Sequence, residues 1–256
     1  MLAELTDGAR ADARTRQLAL PLERVEAAAA AAAPALDALA ALSSADRVKI
    51  IAEVKRASPS RGDLAEIPDP ARLASLYAAG GASAISVLTE GRRFKGSLDD
   101  LSAVKASVPI PVLRKDFISE PYQVFEARAA GADIVLLIVA ALDHGQLRTL
   151  HELIVSLGMT ALVEAHTAEE LDRALELDSK LVGINARNLK TFELDRDLFG
   201  TLADAIPAGV IKVAESAVAA PEDVAHYRRS GADVVLIGEA LVTSDPISTL
   251  TTFLAV

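Results

Sequence analysis

Short apolar runs recur along most of the chain, and stretches with apolar residues at helical spacing separate them. The runs occupy residues 50–54, 84–88, 111–113, 134–139, 160–163, 181–184, 210–214 and 234–237. From 50 onward their starts lie about 26 residues apart, the size of a strand, a helix and the crossover that returns to a parallel neighbour. The runs are almost continuously apolar rather than alternating, so both faces of each strand are expected to be covered.

Three joints repeat. Residues 79–85 (Ala-Gly-Gly-Ala-Ser-Ala-Ile), 130–135 (Ala-Gly-Ala-Asp-Ile-Val) and 230–235 (Ser-Gly-Ala-Asp-Val-Val) each close a helical stretch and open a strand. Glycine suits the left-handed position that ends a helix. Eight regular units predict an α/β protein, a (β/α)8 TIM barrel. The rival, a doubly wound open sheet, lacks its usual phosphate-cradling glycine fingerprint after the first strand.

Residues 1–47 have a different texture. They are rich in Ala, Leu, Arg and Glu, with Leu18, Leu20, Leu22 and Val25 at helical spacing. Two or three helices are expected, and Pro34 should interrupt the alanine run at 27–33. The plainest reading is a helical extension packed on the barrel, giving one domain over 1–256; a partner-binding helix is the rival.

Composition narrows the function. The chain has 256 residues, no Cys and no Trp, and its 36 acidic against 26 basic residues leave a formal charge of −10. Without cysteine there is no disulfide framework, thiolate metal site or thiol nucleophile. The acidic balance argues against nucleic-acid or anionic-membrane partners, which call for a basic stripe. It also weighs, at first sight, against an anionic small-molecule substrate. The alanine-rich tract at 27–42 is broken by Pro34 and Asp37 and too short to span a membrane. Glu4, Asp7 and Asp12 interrupt any secretory pattern, so a cytoplasmic location is expected.

In such a barrel the C-terminal strand ends face the catalytic mouth. The first strand ends in Glu53 and Lys55, followed by Ser58; the third gives Lys115; the fifth Glu164 and His166. The sixth gives Asn185 and Arg187, the seventh Glu215 and Ser216, and the eighth Gly238 and Glu239. Residues two apart on a strand share a face. Glu53, Lys115, Glu164 and Glu215 are thus expected to form one ring on alternate strands, with Lys55 above it. Any one of them reads equally as a structural ion pair, but the regular placement of the set points to acid–base chemistry. Ser216, Gly238 and Glu239 lie where barrels bind phosphate through backbone N–H groups. His144, His151 and His226 are expected on solvated faces, His166 alone near the mouth, and no metal site is predicted.

Five motifs now stand together in order: Glu53-Val-Lys-Arg-Ala-Ser-Pro-Ser60, Ser86-Val-Leu-Thr-Glu90, Leu113-Arg-Lys-Asp-Phe117, Gly183-Ile-Asn-Ala-Arg-Asn-Leu189 and Ala214-Glu-Ser216. They closely resemble the indole-3-glycerol phosphate synthase family, over nearly the whole chain and including the helical extension. The resemblance implies a carboxy-lyase of tryptophan biosynthesis that closes the indole ring of 1-(2-carboxyphenylamino)-1-deoxyribulose 5-phosphate, losing carbon dioxide and water without cofactor or metal. It makes Lys115 the general acid, Glu164 the base in the dehydration, and Lys55 a carboxylate-binding group steadied by Glu53. Asn185 and Arg187 would orient the substrate, with Ser58, Glu215 and Ser216 beside it. Phe94, Phe117 and Leu137 would wall the aromatic ring, and Ser216, Ala217, Gly238 and Glu239 would hold the phosphate. Two positions depart from the family pattern: Ala217 stands where glycine is usual, and Glu239 where serine also occurs. A monomer with a small phosphorylated substrate is expected. Phosphoribosylanthranilate isomerase, a neighbouring barrel, would require a cysteine base. An inactive sugar-phosphate-binding barrel would be expected to have lost a charged strand end.

Overall fold

A computed structural model describes residues 1–43, 46–188 and 193–256 of the chain. Leu189, which closes one of the five motifs, lies outside the described residues, as do residues 44–45 of the extension. Eight strands form the barrel: β1 (Lys49–Val54), β2 (Ala84–Leu88), β3 (Val112–Lys115), β4 (Ile134–Ile138), β5 (Thr160–Ala165), β6 (Leu181–Asn185), β7 (Ile211–Glu215) and β8 (Val234–Ile237). Each pairs in parallel with its sequence neighbours, and Ile50 opposite Val235 with Ile51 opposite Ala84 shows β1 closing the ring between β8 and β2. The apolar runs of the sequence fall on these strands, but β3 and β5 extend further than their runs. The ladder carries on through Lys115 and Glu164, placing both on regular backbone.

Side-chain alternation divides the core in two. Ile51, Leu113, Leu136, Leu162, Leu181 and Val213 fill the barrel, while Ile50, Ala52, Val135, Leu137, Val163 and Val182 face the surrounding helices. Leu137 is therefore corrected: it is fully buried against the helix layer and does not line the mouth. Counting by two from Leu136 gives Ile138 as its inward neighbour.

The repeated joints have a second working part. Gly81, Gly131 and Gly231 adopt positive φ of 99°, 91° and 91°, as the helix ends require. In two of the joints the aspartate then ties the adjoining strand. Asp133 Oδ2 accepts from the Val112 N–H at 2.8 Å, and Asp233 Oδ2 from the Lys212 N–H at 3.0 Å.

The extension folds as α1 (Leu2–Ala19), α2 (Leu22–Ala31) and α3 (Ala38–Leu42), and α2 stops three residues before Pro34. It covers both ends of the barrel. Leu2 and Leu5 of α1 lie over the mouth, while Ala38 and Leu42 of α3 are fully buried against the barrel's inner cluster. The Leu36 N–H donates to Asp133 Oδ1 at 2.7 Å, fixing this segment at the end where β4 begins. On the mouth side, Asp12 and Glu4 of α1 pair with Arg92 and Arg93 of the loop after β2, at 2.6 and 3.0 Å. Among the described residues no helix is long and apolar enough to cross a membrane.

Candidate active site

The C-terminal strand ends open into a cavity of about 800 Å³. Glu53, Lys55, Ser58, Phe94, Lys115, Phe117 and Glu164 line it from β1, β2, β3, β5 and the loops that follow. Asn185, Arg187, Glu215, Ser216, Ala217, Gly238 and Glu239 complete the lining from β6 to β8. Sequence alternation decides which side chains reach it. Lys55 enters the cavity, whereas its neighbour Arg56 turns out to Asp100 at 3.1 Å. Lys115 enters, whereas Arg114 is wholly buried outside the barrel on Thr89 Oγ1 at 3.1 Å and the Gln123 carbonyl at 2.7 Å.

The ring forms as two connected ion clusters. Lys115 Nζ lies 3.1 Å from Glu215 Oε2 and 3.3 Å from Glu164 Oε2, and Lys55 Nζ lies 2.7 Å from Glu53 Oε1. Ser86 Oγ donates to the other Glu53 oxygen at 3.3 Å. Asn185 Oδ1 accepts from Ser216 Oγ at 2.8 Å and from the Arg187 N–H at 3.0 Å, linking β6 to β7.

Two glycines make room for these charges, a role that no local sequence pattern marks. A Cβ on Gly183 would stand 2.2 Å from Glu215 Oε1, and one on Gly238 would stand 2.5 Å from Glu53 Oε1 and 2.8 Å from Lys55 Nζ. Besides any close approach of its backbone to a ligand, the missing side chain of Gly238 leaves the space that the Glu53–Lys55 pair occupies. The signal was available in the alternation, since β6 and β8 place 183 and 238 inward beside the long side chains of odd strands.

Burial and charge set the protonation states. Burial works against the Lys115 ammonium, but Glu215, Glu164 and Glu53 outweigh it and hold its pKa above the usual lysine range. Burial pushes the Glu215 carboxyl up to about 8, reinforced by the charge of Glu164 beside it. Burial would likewise raise Glu164, yet Lys115, His166 and Asn185 overrule it and keep Glu164 well below the usual carboxylate range. Glu53 follows the same logic, burial being outweighed by Lys55 and Lys115. Around the Lys115 ammonium, Glu53 and Glu164 are thus held toward the ionised form, while Glu215 is the carboxyl that burial inclines most toward keeping a proton.

The turn that follows β7 is strained. Ser216 and Ala217 both have positive φ, 70° and 56°, so Ala217 adopts the left-handed backbone that glycine takes freely. That conformation costs a non-glycine residue about 1 kcal/mol. Glu239 Oε1 lies 3.3 Å from Arg61 Nη2, which turns its carboxylate toward a cation. His226 is half-buried at the cavity edge rather than on a solvated face, with Nε2 3.2 Å from Asp197.

The apolar wall is larger than the sequence suggested. Leu88, Leu136 and Ile138 rise from β2 and β4, and Leu2 and Leu5 come from α1. Phe94 and Phe117 face them with ring centroids 6.1 Å apart. Glu90 builds the loop that presents Phe94, accepting from the N–H groups of Arg92, Arg93 and Phe94 at 2.9, 2.7 and 2.9 Å. Arg61 and Arg196 also border the cavity.

An apolar wall facing lysine–carboxylate pairs at the mouth of a closed barrel defines an acid–base enzyme for an aromatic, anionic substrate. Comparison with known proteins supplies the family. The sequence model of indole-3-glycerol phosphate synthase matches residues 2–252, and the chain belongs to that family. The chain is 69% identical over 253 residues to the indole-3-glycerol phosphate synthase of Leifsonia xyli subsp. xyli, covering 99% of this chain and 97% of that protein. With the synthase of Mycolicibacterium gilvum it shares 59% identity over 249 residues, 97% of this chain and 91% of that one. Among solved structures, the fold is similar to a thiamine phosphate pyrophosphorylase from Pyrococcus furiosus, with TM-score 0.61 and 12% identity over 80% of this chain and 93% of that one. An N-acetylmannosamine-6-phosphate 2-epimerase from Clostridium perfringens gives TM-score 0.58 and 17% identity over 78% and 90%. At such identities these two show the barrel fold alone. The chain is a lyase of tryptophan biosynthesis. It forms indole-3-glycerol phosphate from 1-(2-carboxyphenylamino)-1-deoxyribulose 5-phosphate with loss of carbon dioxide and water.

Proposed function

We propose that Lys115 is the general acid of ring closure and Glu164 the base of the dehydration that follows. The observation that carries this is Lys115 held between Glu164 and Glu215, 14% exposed above two carboxylates that are 1% exposed. The substrate's aromatic ring rests on Leu136, Ile138, Phe94 and Phe117, and its carboxylate meets Lys55. The ring carbon that bears the carboxylate attacks the sugar carbonyl carbon, and the carbonyl electrons move onto oxygen. Lys115 delivers its proton to that oxygen as negative charge develops, the step at which a preorganised cation is worth most. Departure of carbon dioxide returns the bonding electrons to the ring. Dehydration then removes the new hydroxyl as water, with a proton from Lys55. Glu164 takes the proton from the neighbouring carbon bonded to nitrogen, completing the indole double bond.

The two steps are coupled. Glu164 is ionised chiefly because Lys115 is charged; once Lys115 has given up its proton, Glu164 becomes a stronger base for the next step. Asn185 and Arg187 orient the sugar hydroxyls. Ser216, Ala217 and the backbone at Gly238 and Glu239 receive the phosphate. Ser58 borders the same end. On this reading the protein works in the cytoplasm as a single-domain monomer, with Lys55, Arg61, Arg187 and Arg196 drawing an anionic substrate into an acidic protein.

Glu164→Gln tests the division of labour. In a single turnover the variant is expected to release carbon dioxide at a rate near that of the unaltered enzyme. Indole formation should fall by about 100-fold or more, as loss of a general base does. Parallel loss of both signals would place Glu164 in ring closure instead.

A further inference from the structure

Glu164 begins a local motif that the reaction above leaves unused. Glu164 and His166 are two apart at the end of β5, and His166 Nε2 lies 3.3 Å from Glu164 Oε1. Thr167 caps helix α4 (Ala168–Leu175), its Oγ1 accepting from the Glu170 N–H at 3.2 Å. Glu170, in the first turn of that helix, folds back. Its Oε2 accepts from the His166 backbone N–H at 2.7 Å and lies 3.2 Å from His166 Nδ1. The helix N-terminus favours the Glu170 carboxylate. Both ring nitrogens of His166 therefore face carboxylates, with 10% of the side chain exposed.

Glu164 is thus balanced by two different cations, one on each oxygen. Lys115 lies on Oε2 inside the cavity and gives up its proton in ring closure. His166 is not among the residues that line the cavity. Burial opposes the imidazolium, but Glu164 and Glu170 outweigh it and raise His166 to about 10, so it is charged at neutral pH.

Building on Glu164 as the base, we infer that His166, clamped by Glu170, is the positioning residue that keeps Glu164 ionised and aimed at the substrate once Lys115 has become a neutral amine. At that moment Glu164 is a buried carboxylate beside Glu215. Without a second cation, burial would drive it to take up a proton before the substrate offers one. The groups that set its charge are Lys115, Glu215 and Asn185 from the strands, His166 at the end of β5, and Glu170 from α4.

His166→Gln and Glu170→Gln test this by product fluorescence and carbon dioxide release, with Glu164→Gln as the control. In His166→Gln, KM is expected to stay within about twofold while kcat for indole falls roughly 10–100-fold. Carbon dioxide release should persist. The acid limb of the kcat–pH profile should move to higher pH by about one unit, reporting a Glu164 that protonates more readily. Glu170→Gln should shift the profile the same way by less. Profiles that superimpose on the parent enzyme, or a rise in KM with kcat unchanged, would overturn the role of His166. A Glu164→Gln enzyme that forms indole at the normal rate would overturn the base assignment itself, whatever His166 does. Independent of activity and of how the His166 variant folds, the His166 nitrogens of the intact protein, followed by NMR, should remain protonated past pH 8. They should lose that protection in Glu170→Gln; titration near the ordinary imidazole value overturns the inference.

Discussion

Single residues show why charge and space had to be solved together. Lys115, Glu164 and Glu215 are legible in the sequence because each stands one or two residues beyond an apolar run. Gly183 was not, since a glycine inside a strand carries no chemistry of its own. Its meaning appears only across the ladder, where a Cβ would stand 2.2 Å from Glu215 Oε1. Gly183→Ala should therefore displace Glu215 from Lys115 and lower kcat by about tenfold or more with little change in KM. Steady-state kinetics checks this, and an unchanged kcat would show that the carboxylate can move without cost. Leu137 teaches the converse. It is apolar and at a strand end, but one residue of offset sends a strand side chain to the opposite face, and Leu136 and Ile138 line the cavity in its place.

Elements explain the extension. Helical spacing announced α1 and α2, and Pro34 announced the break, but nothing in the local pattern tells which surface a helix covers. That is decided by contacts far along the chain: Leu5 over the cavity mouth, Leu42 inside the opposite end. The two should fail differently. Leu42→Ala is expected to cost about 2–5 kcal/mol of stability while leaving KM near normal, as for any fully buried leucine. Leu5→Ala should raise KM several-fold with a smaller loss of stability, because its partner is the cavity wall. Chemical denaturation and kinetics on the two variants separate these effects. The joints were read more fully. Their glycines were recognised from the sequence, whereas Asp133 and Asp233 were not, because a backbone N–H on another strand leaves no mark near them.

At the scale of the whole molecule, a net charge of −10 coexists with a cavity bordered by Lys55, Arg61, Lys115, Arg187 and Arg196. Net charge governs bulk behaviour, and the site answers to its own local field. The same local field makes stability depend on pH in a definite direction. His166 is raised to about 10 and Glu215 to about 8, so both bind protons more tightly folded than unfolded. The stability His166 contributes is fully present below about pH 6.5 and is lost as pH rises through its folded value. Glu215 adds the same sign between about pH 4.5 and 8. Thermal unfolding should therefore show a Tm that falls from pH 6.5 to 10, and His166→Gln should flatten that fall; a Tm that rises across the range would contradict the assigned protonation states.

In the proposed mechanism the Lys115 proton starts the reaction. The direct test is Lys115→Met in a single turnover, following indole fluorescence, which a chain without Trp leaves nearly free of background, together with carbon dioxide release. Both signals should fall together, by about 100-fold or more, while substrate still binds. Carbon dioxide release at the normal rate from the Lys115→Met enzyme would contradict it.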